Sequence, residues 1–328
     1  MDAIAETEFQ RAARARRRRH LAIAGMLLSV LIFGSNFVVS RYAVLHGMSA
    51  HDMMAVRFGT AGLLLLPLFL RRGGLADCSG IGWGRGLFLL VSSGFPMSYL
   101  MLTGLGLAPA AHGATITPGT VTMIGIAGSV VMFGAAITRN LVIGTAGMLA
   151  GLACLAIAGS AGGHGALMGD LLFLCCGLLW GFYPLMVQRW RIDGLHAAAI
   201  VAVLSLVYLP VYFAIFHCGF AVAPWTVFLF QAFYQGVLNM IVGLWLWGRA
   251  AHVLGAAIVG RFPPLIPVTG TSLAIPVLGE WPGPIQWIGI ALIIGGLFVA
   301  SWRRPPRKGE QHQVPGDGDG EAEAKRLP

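Results

Sequence analysis

The chain of 328 residues is predicted to be an all-α integral membrane protein with ten transmembrane helices, arranged as two inverted five-helix repeats. Two observations predict this fold class. First, 57% of the residues are hydrophobic and 11% are charged, whereas a soluble domain has about 25% charged residues. Second, uncharged apolar runs of roughly 20 residues, the length that crosses a bilayer as a helix, recur along the chain.

The net charge is +9, and basic residues cluster in a few places, including both ends of the chain. Residues 1–20 form an arginine-rich arm, and residues 303–328 form a tail of mixed charge that contains Gly-Asp-Gly-Asp-Gly. Basic segments beside apolar runs are typical of membrane proteins and interact with anionic lipid head groups, so no nucleic-acid partner is expected. The arm and first run differ from a signal peptide because no small-residue cleavage site follows them. We expect a retained first span and a disordered tail.

Turn-rich connections separate the ten predicted spans. The spans cover residues 21–45, 51–70, 84–107, 110–136, 141–159, 168–188, 195–216, 224–249, 254–278 and 284–302. The connections 46–50, 108–109, 160–167, 217–223 and 279–283 contain no Lys or Arg, whereas Arg lies within or directly beside each of the other connections. Because positive residues are retained on the cytoplasmic side, both the arm and the tail are predicted to be cytoplasmic.

The second half of the chain repeats the glycine pattern of the first half. Gly34 corresponds to Gly181, and glycines from the third span onward recur at an offset of roughly 140 residues. Each repeat contains five spans, an odd number, so the second copy must lie inverted in the membrane. Inverted repeats with a binding site near the midplane are typical of secondary transporters.

Polar and aromatic residues interrupt the first and sixth spans. Asn36 lies about 15 residues past the arm, which places its amide ~22 Å along a helix and inside the hydrocarbon layer unless it faces protein. Gly34 beside it either lines a cavity or lets two helices approach closely. Trp180 and Tyr183 in the sixth span either stack against a ligand or anchor the helix at the membrane interface.

The eighth span contains Gln231, Gln235 and Asn239, which form one stripe on a helix. Amides that face lipid are costly, so the stripe is expected to face the bundle interior. Hydrogen bonds between helices and a polar wall of a substrate cavity both remain open as its role. Tyr99 in the third span, next to the expected kink at Pro96, is a further candidate for binding a substrate.

Charged residues within spans indicate function because their burial is costly. Arg57 and Arg261 each lie about two turns into a span and either bind a substrate or pack against backbone carbonyls. Arg41 is expected to extend its charge to the interface. The carboxylates lie toward span ends, and none is placed for a proton relay at the midplane. His112 and Glu280 are the candidates for gating or coupling, with the proton as a candidate coupling ion, and a satisfied histidine at a helix end is the alternative for His112.

Several motifs in order resemble the EamA-type transporters of the drug/metabolite transporter superfamily. They are Phe33-Gly34-Ser35-Asn36-Phe37, Arg57-Phe58, Asp170-Leu171 to Trp180-Gly181, Leu254-Gly255-Ala256-Ala257 and Leu278-Gly279-Glu280. The resemblance covers two units, residues 21–159 and 168–302. It departs from the family pattern at Phe33, where Trp is expected, and at Thr138-Arg139, where Gly-Glu often stands. The resemblance implies a carrier of the bacterial inner membrane that moves small metabolites without ATP.

The predicted function is secondary transport, with export of small metabolites or drug-like compounds, amino-acid-like ones included, by alternating access. The sequence contains no reactive cluster or phosphate-binding loop typical of an enzyme, and no cofactor or metal is expected. A channel would need a selectivity filter or charged ring, and no span offers one. A non-transporting membrane scaffold or sensor is the alternative, and the oligomeric state is left open.

Overall fold

A computed structural model describes residues 2–134, 136–161, 164–216, 224–254, 259 and 262–301, and its regular structure in these residues is entirely helical. The helices are α1 (Asp2–Leu45), α2 (Ala50–Arg71), α3 (Trp83–Ser93), α4 (Phe95–Leu107), α5 (Ala110–Phe133), α6 (Arg139–Ala161), α7 (His164–Arg189), α8 (Gly194–Leu204), α9 (Tyr208–Ile215), α10 (Trp225–Gln231), α11 (Leu244–Leu254), α12 (Leu265–Leu278) and α13 (Pro284–Ser301). The predicted tail, 303–328, lies outside the described residues.

Nine helices in the described part of the chain are long and apolar enough to cross a membrane. The chain is therefore a multi-pass membrane protein. The predicted ninth span, 254–278, is described in part, as the 14-residue α12, which is shorter than the roughly 20 residues that a full crossing needs. The count of ten spans stays a prediction.

Two of the spans are irregular in their middle. The third span breaks at Gly94, between α3 and α4, and Pro96 follows in the first turn of α4. The break agrees with the kink expected at this proline. In the eighth span, the π-helical segment Ala232–Gly243 joins α10 to α11. Such segments are rare and are frequently found at functional sites.

Interactions between helix ends define two opposite faces of the bundle. At the first, which we call the arginine face, Arg72 Nη1 at the end of α2 lies 3.1 Å from His196 Nδ1 near the start of α8. At the same face, the guanidinium of Arg85 in α3 lies 5.7 Å from the ring centroid of Trp190. The ends of α2 and α7 and the starts of α3 and α8 therefore lie together at this face.

The opposite face, which we call the Glu280 face, contains a network between the other helix ends. Glu280, after the end of α12, accepts hydrogen bonds from Arg41 Nε at 3.0 Å and from the backbone N–H of Ala110 at 2.7 Å. Arg41 also donates to the carbonyl of Leu105 at the end of α4. The charge of Arg41, which was expected to extend to the interface, is thus paired with Glu280 at this face.

Helices α6 and α13 pack closely through glycines. A Cβ atom at Gly144 would lie 2.5 Å from the carbonyl oxygen of Gly296, and one at Gly151 would lie 2.6 Å from that of Gly289. These distances are too short for a side chain, so the two backbones are in direct contact. Small residues at such crossings allow close packing of helices in a membrane.

Four cysteines are described, and all are free thiols: Cys78, Cys154, Cys175 and Cys176. Cys78 and Cys176 are buried, whereas Cys175 is exposed on α7. Burial, together with the neighbouring Asp77 carboxylate, raises the pKa of the Cys78 thiol in the connection before α3. A buried thiol of this kind is chemically inert. Cys218 lies outside the described residues.

Candidate functional site

A cavity of about 60 Å³ lies inside the bundle, with a wall contributed by both halves of the chain. Its polar and aromatic lining residues include Asn36, Arg57, Ser93, Trp180, Tyr183 and Asn239. The volume has room for about four water molecules at roughly 15 Å³ each. Four of the residues proposed from the sequence as binding residues, Asn36, Arg57, Trp180 and Asn239, meet here although they lie on four different elements, and Tyr183 joins them from the same helix as Trp180.

Arg57 projects from α2 and is buried, with 7% of its surface exposed. Its Nη1 lies 3.5 Å from Gln235 Oε1, and its Nη2 lies 3.4 Å from Asn239 Oδ1. Both distances are longer than a usual N–H···O hydrogen bond of 2.7–3.2 Å. Nη2 also lies 3.6 Å from Met240 Sδ, and Nε has no hydrogen-bond partner. The guanidinium, which has five N–H donors, is therefore weakly satisfied.

The three amides of the predicted stripe are all buried, at 5% exposure or less. They nevertheless differ in their surroundings. Gln231 Nε2 donates to the carbonyl of Val39 at 2.9 Å, and Gln235 Nε2 donates to Ser40 Oγ at 2.8 Å. These hydrogen bonds hold the eighth span against α1. Asn239, in contrast, lines the cavity beside Arg57.

Asn36 lines the cavity from α1 and is 6% exposed. Its Nδ2 lies 4.0 Å from Met101 Sδ, a weak contact, and its Oδ1 has no hydrogen-bond partner. The cavity therefore contains an unsatisfied acceptor on Asn36 as well as an unsatisfied donor on Arg57. Unsatisfied buried polar atoms are costly, so each needs a physical explanation.

Sequence reasoning missed the methionines of the cavity wall. Met97 and Met101 from α4 and Met240 from the π-helical segment all line it. In sequence, the i, i+4 spacing of Met97 and Met101 indicates one helix face but does not separate a cavity wall from a packed core. Methionine is flexible and adapts to different contacts, which suits a cavity that changes shape.

Four of the predicted binding residues do not line the cavity: Gln231 and Gln235, which are hydrogen-bonded to α1, and also Gly34 and Tyr99. A Cβ atom at Gly34 would lie 2.8 Å from the carbonyl oxygen of Ile266, so Gly34 allows close packing of α1 on α12. Tyr99 is 40% exposed, with its ring 5.3 Å from that of His51. Since Met97 and Met101 face the cavity, Tyr99 between them faces the other side of the helix. Arg261, also predicted, lies outside the described residues.

The two gating or coupling candidates lie at the Glu280 face. His112 is 1% exposed, and its Nδ1 lies 2.8 Å from Oδ1 of Asp170 near the start of α7. Glu280 forms the ion pair with Arg41 described above. Sequence reasoning identified His112 and Glu280 but not their partners. Asp170 is 58 residues from His112, and Arg41 is 239 residues from Glu280, so spacing in the sequence does not indicate either contact.

Comparison with known proteins agrees with this architecture. A model of the EamA-like transporter family matches residues 20–157 and 167–302. An uncharacterized transporter of Bacillus subtilis, YetK, is 25% identical over 85% of this chain and 86% of its own length. A probable terminal-alkyne amino-acid exporter of Streptantibioticus cattleyicolor is 30% identical over 55% of this chain and 60% of its own length. A solved crystal structure, 17% identical, covers 85% of this chain and 96% of its own with a TM-score of 0.59, and supports the fold.

Proposed function

The chain belongs to the EamA-like transporter family, and we propose that it is a secondary exporter of amino-acid-like small metabolites that works by alternating access. The single observation that carries the substrate class is the pair of unsatisfied polar atoms in the cavity, Arg57 Nε and Asn36 Oδ1. A zwitterion complements both. Its carboxylate would accept charge-assisted hydrogen bonds from Arg57, and its ammonium group would donate to Asn36 Oδ1.

The surroundings of Arg57 favour an anionic group in the ligand. In the described part of the chain, its side-chain partners are two amides, a thioether and the Phe58 ring, and no carboxylate forms an ion pair with it. A guanidinium keeps its charge in a protein, so an unpaired one in a membrane is costly. A bound carboxylate would remove this cost. Trp180 and Tyr183 in the same wall offer ring faces to an ammonium group.

The size of the cavity supports a mechanism in which helices move. Pockets for small molecules usually have about 300–1,000 Å³, and this cavity of about 60 Å³ is too small for most amino acids. A substrate can therefore enter after the helices around the cavity separate on one side. Such separation at alternate faces of the membrane is the basis of alternating access.

We further propose that the protein lies in the bacterial cytoplasmic membrane with the arginine face in the cytoplasm. The arm and the tail are then both cytoplasmic, since Lys and Arg are retained on that side. The ten spans would form two inverted repeats, and the cavity between them would be the site shared by both halves. Enzymatic activity is not proposed, since the family and its named relatives are transporters.

Transport by purified protein in proteoliposomes tests the proposal. A mixture of labelled amino acids outside the vesicles is expected to exchange with unlabelled amino acids inside. Exchange should be lost in Arg57→Gln and kept in Arg249→Gln, a matched control at the arginine face. A scaffold or sensor, the alternative reading, would show no exchange above empty vesicles with the parent protein.

A further inference from the structure

His112 and Asp170 form a buried imidazole–carboxylate pair that connects α5 to α7. Their side chains are 1% and 6% exposed, and His112 Nδ1 lies 2.8 Å from Asp170 Oδ1. The second nitrogen, His112 Nε2, and the second oxygen, Asp170 Oδ2, have no hydrogen-bond partner. A purely structural pair would be expected to satisfy these buried atoms. Both atoms are free to bind a proton.

The charge of the pair depends on one proton. With Nδ1–H donating to the carboxylate, a neutral imidazole leaves a net charge of −1 in apolar surroundings, which is costly. A proton on the free Nε2 converts the pair to imidazolium and carboxylate, with no net charge. Histidine exchanges its proton in the physiological pH range. Binding or release of this one proton therefore changes the net charge of the buried pair by one.

Few other charges face the pair from the elements packed against it. Arg41 from α1 and Glu280 after α12 neutralise each other and bind the start of α5. Tyr99 on α4 is directed away from the pair, and Arg85 on α3 and Arg139 on α6 begin their helices at the arginine face. Within residues 265–278 and 284–301, α12 and α13 contain no titratable side chain. The proton on the pair is thus the variable charge at this place.

One face of α7 connects the pair to the cavity. Asp170 and Trp180 are ten residues apart, about 15 Å along the helix, and Phe173 lies between them, fully buried. The Phe173 ring fills the space beside Gly104 and Gly113, where a Cβ atom would lie 2.8 Å and 2.9 Å away. Access from the Glu280 face to the cavity would require α5 and α7 to shift here, which would also disrupt the pair.

We infer that the His112–Asp170 pair is the proton-binding site that couples proton movement to substrate movement. The inference rests on the proposed transport function. One proton passes from water at the Glu280 face to His112 Nε2 when that face is accessible, stays there while α5 and α7 are in contact, and is released to water on the opposite side when the arginine face is accessible. With the proton bound, the pair holds α5 and α7 together at the Phe173 contact. This contact closes the path from the Glu280 face to the cavity.

The test uses the full chain in proteoliposomes and an amino acid that it exchanges. With the membrane potential held at zero and a gradient of one pH unit, coupling to one proton gives a substrate ratio of about tenfold between the two sides at steady state. In Asp170→Asn and His112→Gln the ratio should fall to about one, while exchange without a gradient continues. His46→Gln, an exposed histidine at the same face, is the control and should keep the ratio.

The outcomes separate this inference from the proposed function. A parent protein without exchange contradicts transport itself, whereas exchange without gradient-driven accumulation contradicts proton coupling alone. Retention of the tenfold ratio in both variants, or equal loss of accumulation and exchange in folded variants, would overturn the assignment. Should the single variants fail to fold, the double variant with His112→Asp and Asp170→His keeps the pair and is expected to accumulate substrate. Exchange without accumulation in that variant would also overturn it.

Discussion

Arg41 Nε donates a hydrogen bond to Glu280 Oε1 at 3.0 Å, across 239 residues of sequence, and so connects α1 to the segment after α12. Glu280 also accepts from Ala110 N–H, one of the first amides of α5, which has no partner within its own helix. The carboxylate thus joins an arginine, a helix start and the positive end of the α5 dipole. This geometry makes Glu280 the centre of the contacts that close the Glu280 face.

Glu280→Ala is predicted to loosen this face without unfolding the protein. Hydrogen exchange at the amides of residues 108–112 should become faster, because the N–H of Ala110 loses its acceptor. The Arg41–Glu280 coupling, measured by a double-mutant cycle on thermal unfolding, should be small, about 0.5–1 kcal/mol, since both side chains are partly exposed. Unchanged exchange at 108–112 would show that the contact does not hold the start of α5.

Arg57→Lys tests whether the planar fork of the guanidinium binds substrate. Lysine keeps the charge but has no bidentate geometry, so substrate affinity should fall about tenfold or more, as expected for loss of a charge-assisted hydrogen bond worth about 1.5–3 kcal/mol. Arg57→Gln should weaken transport further. The measurement is the half-saturating concentration of amino-acid exchange. Parental kinetics in both variants would make Arg57 a structural residue.

The amide stripe is predicted to divide into two roles. Asn239→Leu should reduce transport because Asn239 lines the cavity and contacts Arg57. Gln231→Leu should mainly reduce stability, by about 0.6 kcal/mol and at most about 1.7 kcal/mol, since it removes an interhelical hydrogen bond in a membrane. Transport kinetics and thermal unfolding measured on both variants separate the two roles. Equal effects on transport would contradict this division.

The sequence identified individual residues of this site but not which of them contact one another. Buried charge and the i, i+4, i+8 spacing identified Arg57 and the stripe separately, since burial cost is a local property of each span. Their contact depends on how α2 is rotated and placed against a helix 178 residues away. The same limit explains Gly34. A glycine beside polar residues fits a cavity wall and a close helix crossing equally well, and the position of Thr269 and Ile266 on α12 decides between them.

Two alanine substitutions in α5 are predicted to have opposite effects. At Gly113 a Cβ atom would lie 2.9 Å from Phe173 Cζ and 3.2 Å from Phe37 Cδ1, so Gly113→Ala must displace a fully buried ring. Overpacking of this kind costs about 1–3 kcal/mol. At Gly125 nothing lies within 4 Å of the added atom. Gly125→Ala should therefore stabilise the helix by roughly 0.5–1 kcal/mol.

Thermal unfolding of the two variants in the same detergent measures this difference. Gly113→Ala should lower the midpoint and Gly125→Ala should leave it unchanged or raise it. The substitution Phe173→Leu, made in the Gly113→Ala background, removes ring atoms from the crowded space and should recover part of the lost stability. Because Phe173 lies between the cavity and the Glu280 face, Gly113→Ala and Gly125→Ala should also differ in transport rate. Equal midpoints for the two alanine variants would mean that Phe173 does not fill the space beside Gly113.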